Sequence, residues 1–336
     1  MAASSGAANF SSNAIGTTAG EFLQLGVGAR AMGLGGAYTA VSDDATALYW
    51  NPAGLTQTQN SAATFMHSAY LASSFYDYAA YAHNLGAMGA LGGGVQYMNA
   101  GSITETDQNF NNIGSFTPYD LAVSLGYART FGGYSVGLAG KYIQSTVLTT
   151  ARTEALDAGI LSPGYLDGAL HLAAVADNVG GTLKFEQASE NLPLTFKLGS
   201  SYRLTERWLT SADVGLPRDG NPYLAVGTEY VFPVKSVWNF AGRLGYNSQT
   251  TSNITGISGV SIGLGFGTQG MAVDYAFVPY GGLGITNRIS LAFKFGHANG
   301  GEIAQGETRH ETPQAMARPQ AEPIGAAAPA VAAAPA

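Results

Sequence analysis

Cysteine is absent from the 336 residues, so neither a disulfide framework nor a thiolate metal site can be built. Charge is scarce as well. Asp, Glu, Lys and Arg make up 11% of the chain, less than half of the roughly 25% usual in globular proteins. No apolar run reaches the ~18 residues that read as a transmembrane helix, although hydrophobic content is an ordinary 46%. A chain poor in charge yet without long apolar runs suits alternating strands with one face in lipid, since a spanning strand needs only about 9–11 residues. The net charge of −7 argues against nucleic acid as a partner. The opening Met1-Ala2-Ala3-Ser4-Ser5 lacks the basic start and apolar core of a secretory signal. The chain therefore reads as cytosolic, or as a mature form whose signal peptide has been removed; a membrane reading requires the second.

Glycine, in contrast, is abundant at 46 residues, about twice its usual ~7% share, with no collagen period to explain it. It is dense in residues 20–55, GEFLQLGVGARAMGLGGAYTAVSDDATALYWNPAGL, which read as neither an ordinary strand nor a long helix. Residues 20–58 are expected to form a plug inside a lumen, with a short helix around Asp44–Tyr49. Residues 1–19, small and polar, are expected to be disordered. Residues 297–336 lack any aromatic and end in AAAPAVAAAPA, which reads as a flexible periplasmic tail.

Between these regions, 59–296, lies an all-β pattern read as a 14-stranded antiparallel transmembrane barrel. The candidate strands are 60–70, 74–84, 88–98, 118–130, 134–147, 154–161, 168–178, 193–204, 207–216, 222–232, 236–247, 257–267, 271–280 and 287–296. Alternate residues of a strand face opposite sides, and mid-strand charges fall opposite the large apolar side chains. Leu121, Val123, Leu125 and Tyr127 oppose Asp120. Tyr134, Val136, Leu138 and Tyr142 oppose Lys141, and Leu194, Phe196, Leu198 and Tyr202 oppose Lys197 and Arg203. Trp238, Phe240, Leu244 and Tyr246 oppose Arg243, and Ile289, Leu291, Phe293 and Phe295 oppose Arg288 and Lys294. Asp213, Glu229 and Asp274 obey the same rule. A lipid-facing Arg or Lys at the midplane would cost about 2–4 kcal/mol.

Connections also alternate in length. Those at 99–117, 179–192 and 248–256 are long, whereas 131–133, 205–206, 233–235 and 268–270 are short; 162–167 is of moderate length. Short turns mark the periplasmic end of an outer-membrane barrel and long loops the extracellular end. An even strand count then places both termini in the periplasm.

Catalytic motifs lack their context. Gly265-Phe266-Gly267-Thr268-Gln269-Gly270 matches GxGxxG, but a strand follows it where a dinucleotide site needs a helix. Gly259-Val260-Ser261-Ile262-Gly263 matches the nucleophile elbow GxSxG, yet Ser261 lies mid-strand. His171 is the one His clearly placed on the lumen face, and a lone His is more often structural than catalytic. No metal or cofactor motif appears, and the chain reads as non-enzymatic.

The constellation that remains is the set of lumen charges Asp120, Lys141, Lys197, Arg203, Asp213, Glu229, Arg243, Asp274, Arg288 and Lys294. Buried charges must be paired or hydrated, so mutual pairing is expected, with plug residues Arg30, Asp43 and Asp44 as further partners. The alternative is a polar substrate path. In the plug, Gly33, Gly35 and Gly36 allow backbone shapes closed to other residues. Asn51-Pro52 reads as a rigid corner leading into the first strand.

Three stretches resemble the PorV/PorQ family, relatives of the FadL-type barrels: residues 21–55; Asp177–Phe185 with Leu192–Gly199; and the closing Arg288–Gly296. The resemblance implies a 14-stranded outer-membrane barrel with an N-terminal plug. It also implies a role in type IX protein secretion, where a family member receives cargo from the translocon and passes it to the surface attachment machinery. The expected partners are outer-membrane lipid and secretion machinery or cargo proteins, through the extracellular loops 99–117 and 179–192. The alternative is a FadL-like channel for hydrophobic small molecules.

Overall fold

The computed structural model describes residues 10–185, 188–234, 237–251 and 255–296. The chain divides into two units, Met1–Gly296 and His297–Ala336. The expected flexible tail and the first nine residues of the expected disordered start lie outside the described residues.

The strands are β1 (Ser61–Ala69), β2 (Phe75–Asn84), β3 (Ala90–Asn99), β4 (Ile103–Thr106), β5 (Asn112–Phe116), β6 (Tyr119–Phe131), β7 (Tyr134–Thr146), β8 (Thr150–Leu161), β9 (Leu170–Val179), β10 (Thr182–Phe185), β11 (Ala188–Asn191), β12 (Thr195–Thr205), β13 (Trp208–Pro217), β14 (Tyr223–Val234), β15 (Trp238–Asn247), β16 (Val260–Gly267), β17 (Met271–Pro279) and β18 (Ile285–Phe295). Fourteen of them close into an antiparallel barrel. The seam joins β1 to β18, from Ser61 opposite Phe295 to Ala69 opposite Asn287. Closure leaves no unpaired edge, the condition for a sheet to stand in lipid. The other four strands form two hairpins, β4–β5 and β10–β11, inside connections expected to be plain loops.

The parity holds along the wall. On β6, Leu125 is 71% exposed while Ala122 and Ala128 on the other face are fully buried. Departures occur on the outward face, among them Arg129 beside a short turn, Arg152 near the start of β8 and two acidic residues. Asp77 faces outward and bonds His67 Nδ1 at 2.6 Å, and Glu154 is also exposed there. Both lie toward the long-loop end of their strands, where a charge in the lipid belt costs far less than at mid-depth.

Residues 10–58 thread the inside of the barrel. Contrary to the expected disorder, residues 10–19 are ordered at the long-loop end. The Phe10 amide donates to Arg218 O at 2.8 Å, and Ala19 N donates to Asn191 O at 2.9 Å. Thr18 makes a parallel bridge to Asn191. The edge of β11 and the residue after β13 supply these backbone partners, which composition alone does not reveal. At the other end, Thr56 Oγ1 donates to Ser135 Oγ at 2.7 Å, beside the short turn between β6 and β7.

The segment therefore crosses the lumen once before β1 begins. An even strand count does bring Ser61 and Phe295 to one end, but Phe10 stands at the opposite one. The expectation of both termini at a single end concerns Met1 and Ala336, which lie outside the described residues. Two short helices punctuate the segment, α1 (Ala29–Gly33) and α2 (Ala47–Trp50). The helix expected from Asp44 starts three residues later. Asp44 instead turns the chain by accepting from Thr46 N at 2.8 Å and Thr46 Oγ1 at 2.5 Å.

Candidate functional site: the filled lumen and the long-loop end

The inner wall is shaped to the segment by missing side chains. A Cβ on Gly137 would collide with Pro52 and Ala53, one on Gly159 with Asn51, and one on Gly227 with Leu34. Gly245 meets the Gly35 backbone, and Gly263 meets Gly33. Gly35 adopts φ +68° and Gly36 φ +78°, a left-handed backbone that favours glycine. The high glycine content is thus a row of seats on one face of many strands. Large residues of the segment fill what remains: Val27, Leu34, Tyr38, Leu48, Trp50 and Leu55 are all buried. Asn51 performs as a corner, with Oδ1 accepting from Ala53 N at 3.0 Å and Nδ2 donating to Thr39 O at 2.9 Å, while Pro52 opens a 3-10 turn.

Charge pairs fasten the same interface. Arg30 donates through Nε and Nη2 to both oxygens of Glu229, each at 2.9 Å, and through Nη1 to Asp43 at 2.5 Å. Glu229 also takes Arg243 Nε at 2.6 Å, and Arg243 Nη1 reaches Asp274 at 2.7 Å. The result is a continuous row, Asp43–Arg30–Glu229–Arg243–Asp274, two members from the segment and three from the wall. Tyr38 closes it, its hydroxyl lying 3.0 Å from Asp44 Oδ2 and 2.9 Å from Arg30 Nη1. Asp213 accepts from the amides of Tyr38 and Thr39, at 3.0 and 2.9 Å, and from Thr39 Oγ1 at 2.6 Å.

Two more pairs belong to the wall itself. Lys141 meets Asp157 at 2.7 Å and donates to Asn178 Oδ1 at 2.8 Å. Lys197 meets Asp177 at 2.8 Å with its ammonium 5.3 Å from the Trp50 ring centroid. Asp157 and Asp177 were missed among the expected lumen charges, although their inward parity with Ala155 and Val175 would have found them. Of the ten charges expected there, Arg203 and Lys294 are corrected. Both have inward parity but lie at exposed strand ends beside short turns, because a strand's last residues emerge from the barrel. Asp120 is half-buried, with no ion pair among the described residues. Arg288 is fully buried and likewise has no carboxylate in salt-bridge range among them.

The motif matches dissolve into this packing. Ser261 Oγ accepts from Gly35 N at 3.1 Å, and Gly263 seats Gly33. Among the described residues His171 Nδ1 meets the nearby Ser162 carbonyl, at 3.4 Å. A cavity of about 90 Å³ remains near the long-loop end, lined by Tyr49, Trp50, Asp177, Lys197, Tyr223 and Tyr280 among others. At the same end stands the β4–β5 hairpin, all but one of whose nine strand residues are exposed. Phe110 at its tip is 89% exposed. In that tip Asp107 accepts from the Asn111 side chain at 3.0 Å, the Asn111 amide at 2.9 Å and the Asn109 amide at 2.8 Å. The Asn111 bonds hold its carboxyl below the usual range.

A closed 14-stranded antiparallel barrel with an apolar outer belt and a polar, occupied lumen defines an outer-membrane protein. The sequence model of the type IX secretion system protein PorV matches residues 8–207, and the chain belongs to that family. No curated protein matches. Among solved structures, the Ralstonia pickettii toluene transporter TbuX superposes with a TM-score of 0.54 at 12% identity, over 81% of this chain and 99% of that one. CymD, a monoaromatic hydrocarbon channel, gives 0.53 at 14%, covering 81% and 98%. The Pseudomonas putida toluene transporter TodX gives 0.50 at 11%, covering 77% and 97%. Identities this low speak for the fold alone.

Proposed function

We propose that this barrel is a non-enzymatic protein-interaction component of the outer membrane, serving secretion or surface display through its long loops. The observation that carries the reading is the PorV match, which spans the threaded segment and both hairpin-bearing connections. Rigid scaffolds place binding on such loops, and an apolar tip such as Phe110 on a projecting hairpin suits a protein surface. On this reading the long-loop end is extracellular, the short turns are periplasmic, and residues 20–58 act as a plug.

Co-purification from detergent-solubilised outer membranes tests the role. Wild-type barrel should retain secretion machinery or cargo, and a variant with residues 103–116 replaced by a short Gly/Ser linker should lose it while still folding. Equal recovery from both would sink the loop assignment. The plug is tested separately in a planar bilayer. Full-length protein should pass little current, and steady porin-sized currents would refute the reading.

The second reading, a channel for hydrophobic small molecules, is favoured by the architecture shared with the hydrocarbon transporters. Against it stands the packing of residues 10–58 in the lumen, where a cavity of about 90 Å³ is bordered by the Lys197–Asp177 pair. An apolar cavity that takes benzene measures roughly 150 Å³. Bound apolar ligand recovered from the lumen would favour the channel.

A further inference from the structure

Arg288 stands apart from the other buried cations of the lumen. Arg30, Lys141, Lys197 and Arg243 each meet a carboxylate. Arg288 is 0% exposed, yet among the described residues no carboxylate lies within salt-bridge range of it. One of its nitrogens, Nη1, donates to Gly26 O, while Nε and Nη2 have no partner among the described residues. Directly across the seam, in register with it, is Ser68, also fully buried, whose Oγ has no partner either. Opposed residues of an antiparallel pair share a face, with Cα atoms about 4.5–5.5 Å apart. Unsatisfied donors from two paired strands therefore stand on the same stretch of the inner wall.

Local groups do not neutralise the charge. Its field reaches Tyr49, Tyr70 and Tyr76, but a phenol is uncharged at neutral pH. The Tyr76 hydroxyl is already engaged, donating to Leu25 O at 3.0 Å and accepting from Gln96 Nε2 at 2.8 Å. A fully buried, uncompensated guanidinium is among the most costly arrangements a protein can hold. Water could fill the open hydrogen bonds but not the charge deficit. The surroundings, with Met66, Ala276 and Val278 buried on the same or adjacent strands, favour a small ligand.

We propose that Arg288 and Ser68 form a buried site for one small monovalent anion, of halide or formate size, at the seam where β1 meets β18. The site would have a structural effect as well. Arg288 holds Gly26 O, Met66 Sδ accepts from Gly28 N at 3.1 Å, and Ser290 Oγ accepts from Ala29 N at 2.8 Å. The anion thus sits where the threaded segment is tied to both seam strands, and its binding tightens that tie.

Crystals of the full chain soaked in sodium bromide, and separately in sodium formate, test the site directly. An anomalous bromide peak within hydrogen-bonding distance of Nη2 or Nε is expected, with formate density at the same place. Ordered water alone in both soaks would overturn the proposal. In parallel, thermal melts at constant ionic strength compare bromide and formate with gluconate, which is too bulky to enter. Wild type should show a saturable upward shift of Tm with the small anions, and Arg288→Gln should lose it. If the variant does not fold, the wild-type soaks and melts still decide; a wild-type Tm indifferent to the anion would count against the site.

Discussion

Along β6 the two faces of the wall can be compared residue by residue. Val123, Leu125 and Tyr127 point outward and are exposed, while Ser124, Gly126 and Ala128 point inward and are buried. The outward residues differ in shape and touch one another loosely, and their only shared property is being apolar. The inward residues are small because a particular neighbour occupies the space: Leu48 lies against Gly126. The outer wall thus answers to a solvent, and any large hydrophobe serves. The inner wall answers to one partner, the threaded segment, and each position has a size and charge dictated by the atom opposite.

The largest expected effect lies on the inner wall. Glu229→Ala would leave Arg30 and Arg243 buried without their shared carboxylate, a loss of about 3–5 kcal/mol, read from urea titration of the heat-modifiable folded band. A change below about 1 kcal/mol would mean that water already screens the row, since solvated pairs contribute no more than that. On the outer wall the effect should depend on depth. Leu244→Arg, mid-strand, should cost about 2–4 kcal/mol, whereas Trp238→Arg, the first residue of β15 beside a short turn, should cost about 0–1. Equal costs would show that the lipid belt is misplaced.

Glycines sharpen the contrast at smaller scale. Gly245→Val drives a side chain into the Gly35 backbone and should cost about 1–3 kcal/mol or more, while the outward Gly140→Val should stay within about 0.5. The reverse order would exchange the faces. Smallest of all, Asp107→Ala should leave barrel stability unchanged and only speed amide exchange at Asn109 and Asn111. Acid should act the same way: because the folded carboxyl titrates low, its hydrogen bonds persist above the ordinary Asp range and are lost as pH falls through the lowered value.

This asymmetry also explains what could be read from the sequence. Lipid imposes a binary rule, so strand positions, parity and the outer-membrane class followed from alternation, with boundaries off by a few residues. The hairpin β4–β5 escaped because all but one of its nine strand residues are exposed, leaving no alternation to detect. The lumen was legible as a list of charges but not as a set of pairs. Nothing in the spacing of Arg30 and Glu229, 199 positions apart, announces that they meet. Asp157 escaped because Arg152 and Glu154 give its strand an outward face less apolar than the rest. Ordered residues 10–19 escaped because their partners are backbone groups, to which composition is blind.

The single crossing of the lumen by residues 10–58 sets an order of assembly. Once β1 and β18 have paired, a chain end could reach the long-loop mouth only by travelling through a bore in which glycines already touch the segment's backbone. The segment must therefore be in place while the wall is still an open sheet, and the wall must wrap around it. Contacts such as Ala29 with Ser290, 261 positions apart, form only at that last step, and such long-range contacts make folding slow. The segment that precedes the strands is thus a mandrel, on which the seam is the final stitch.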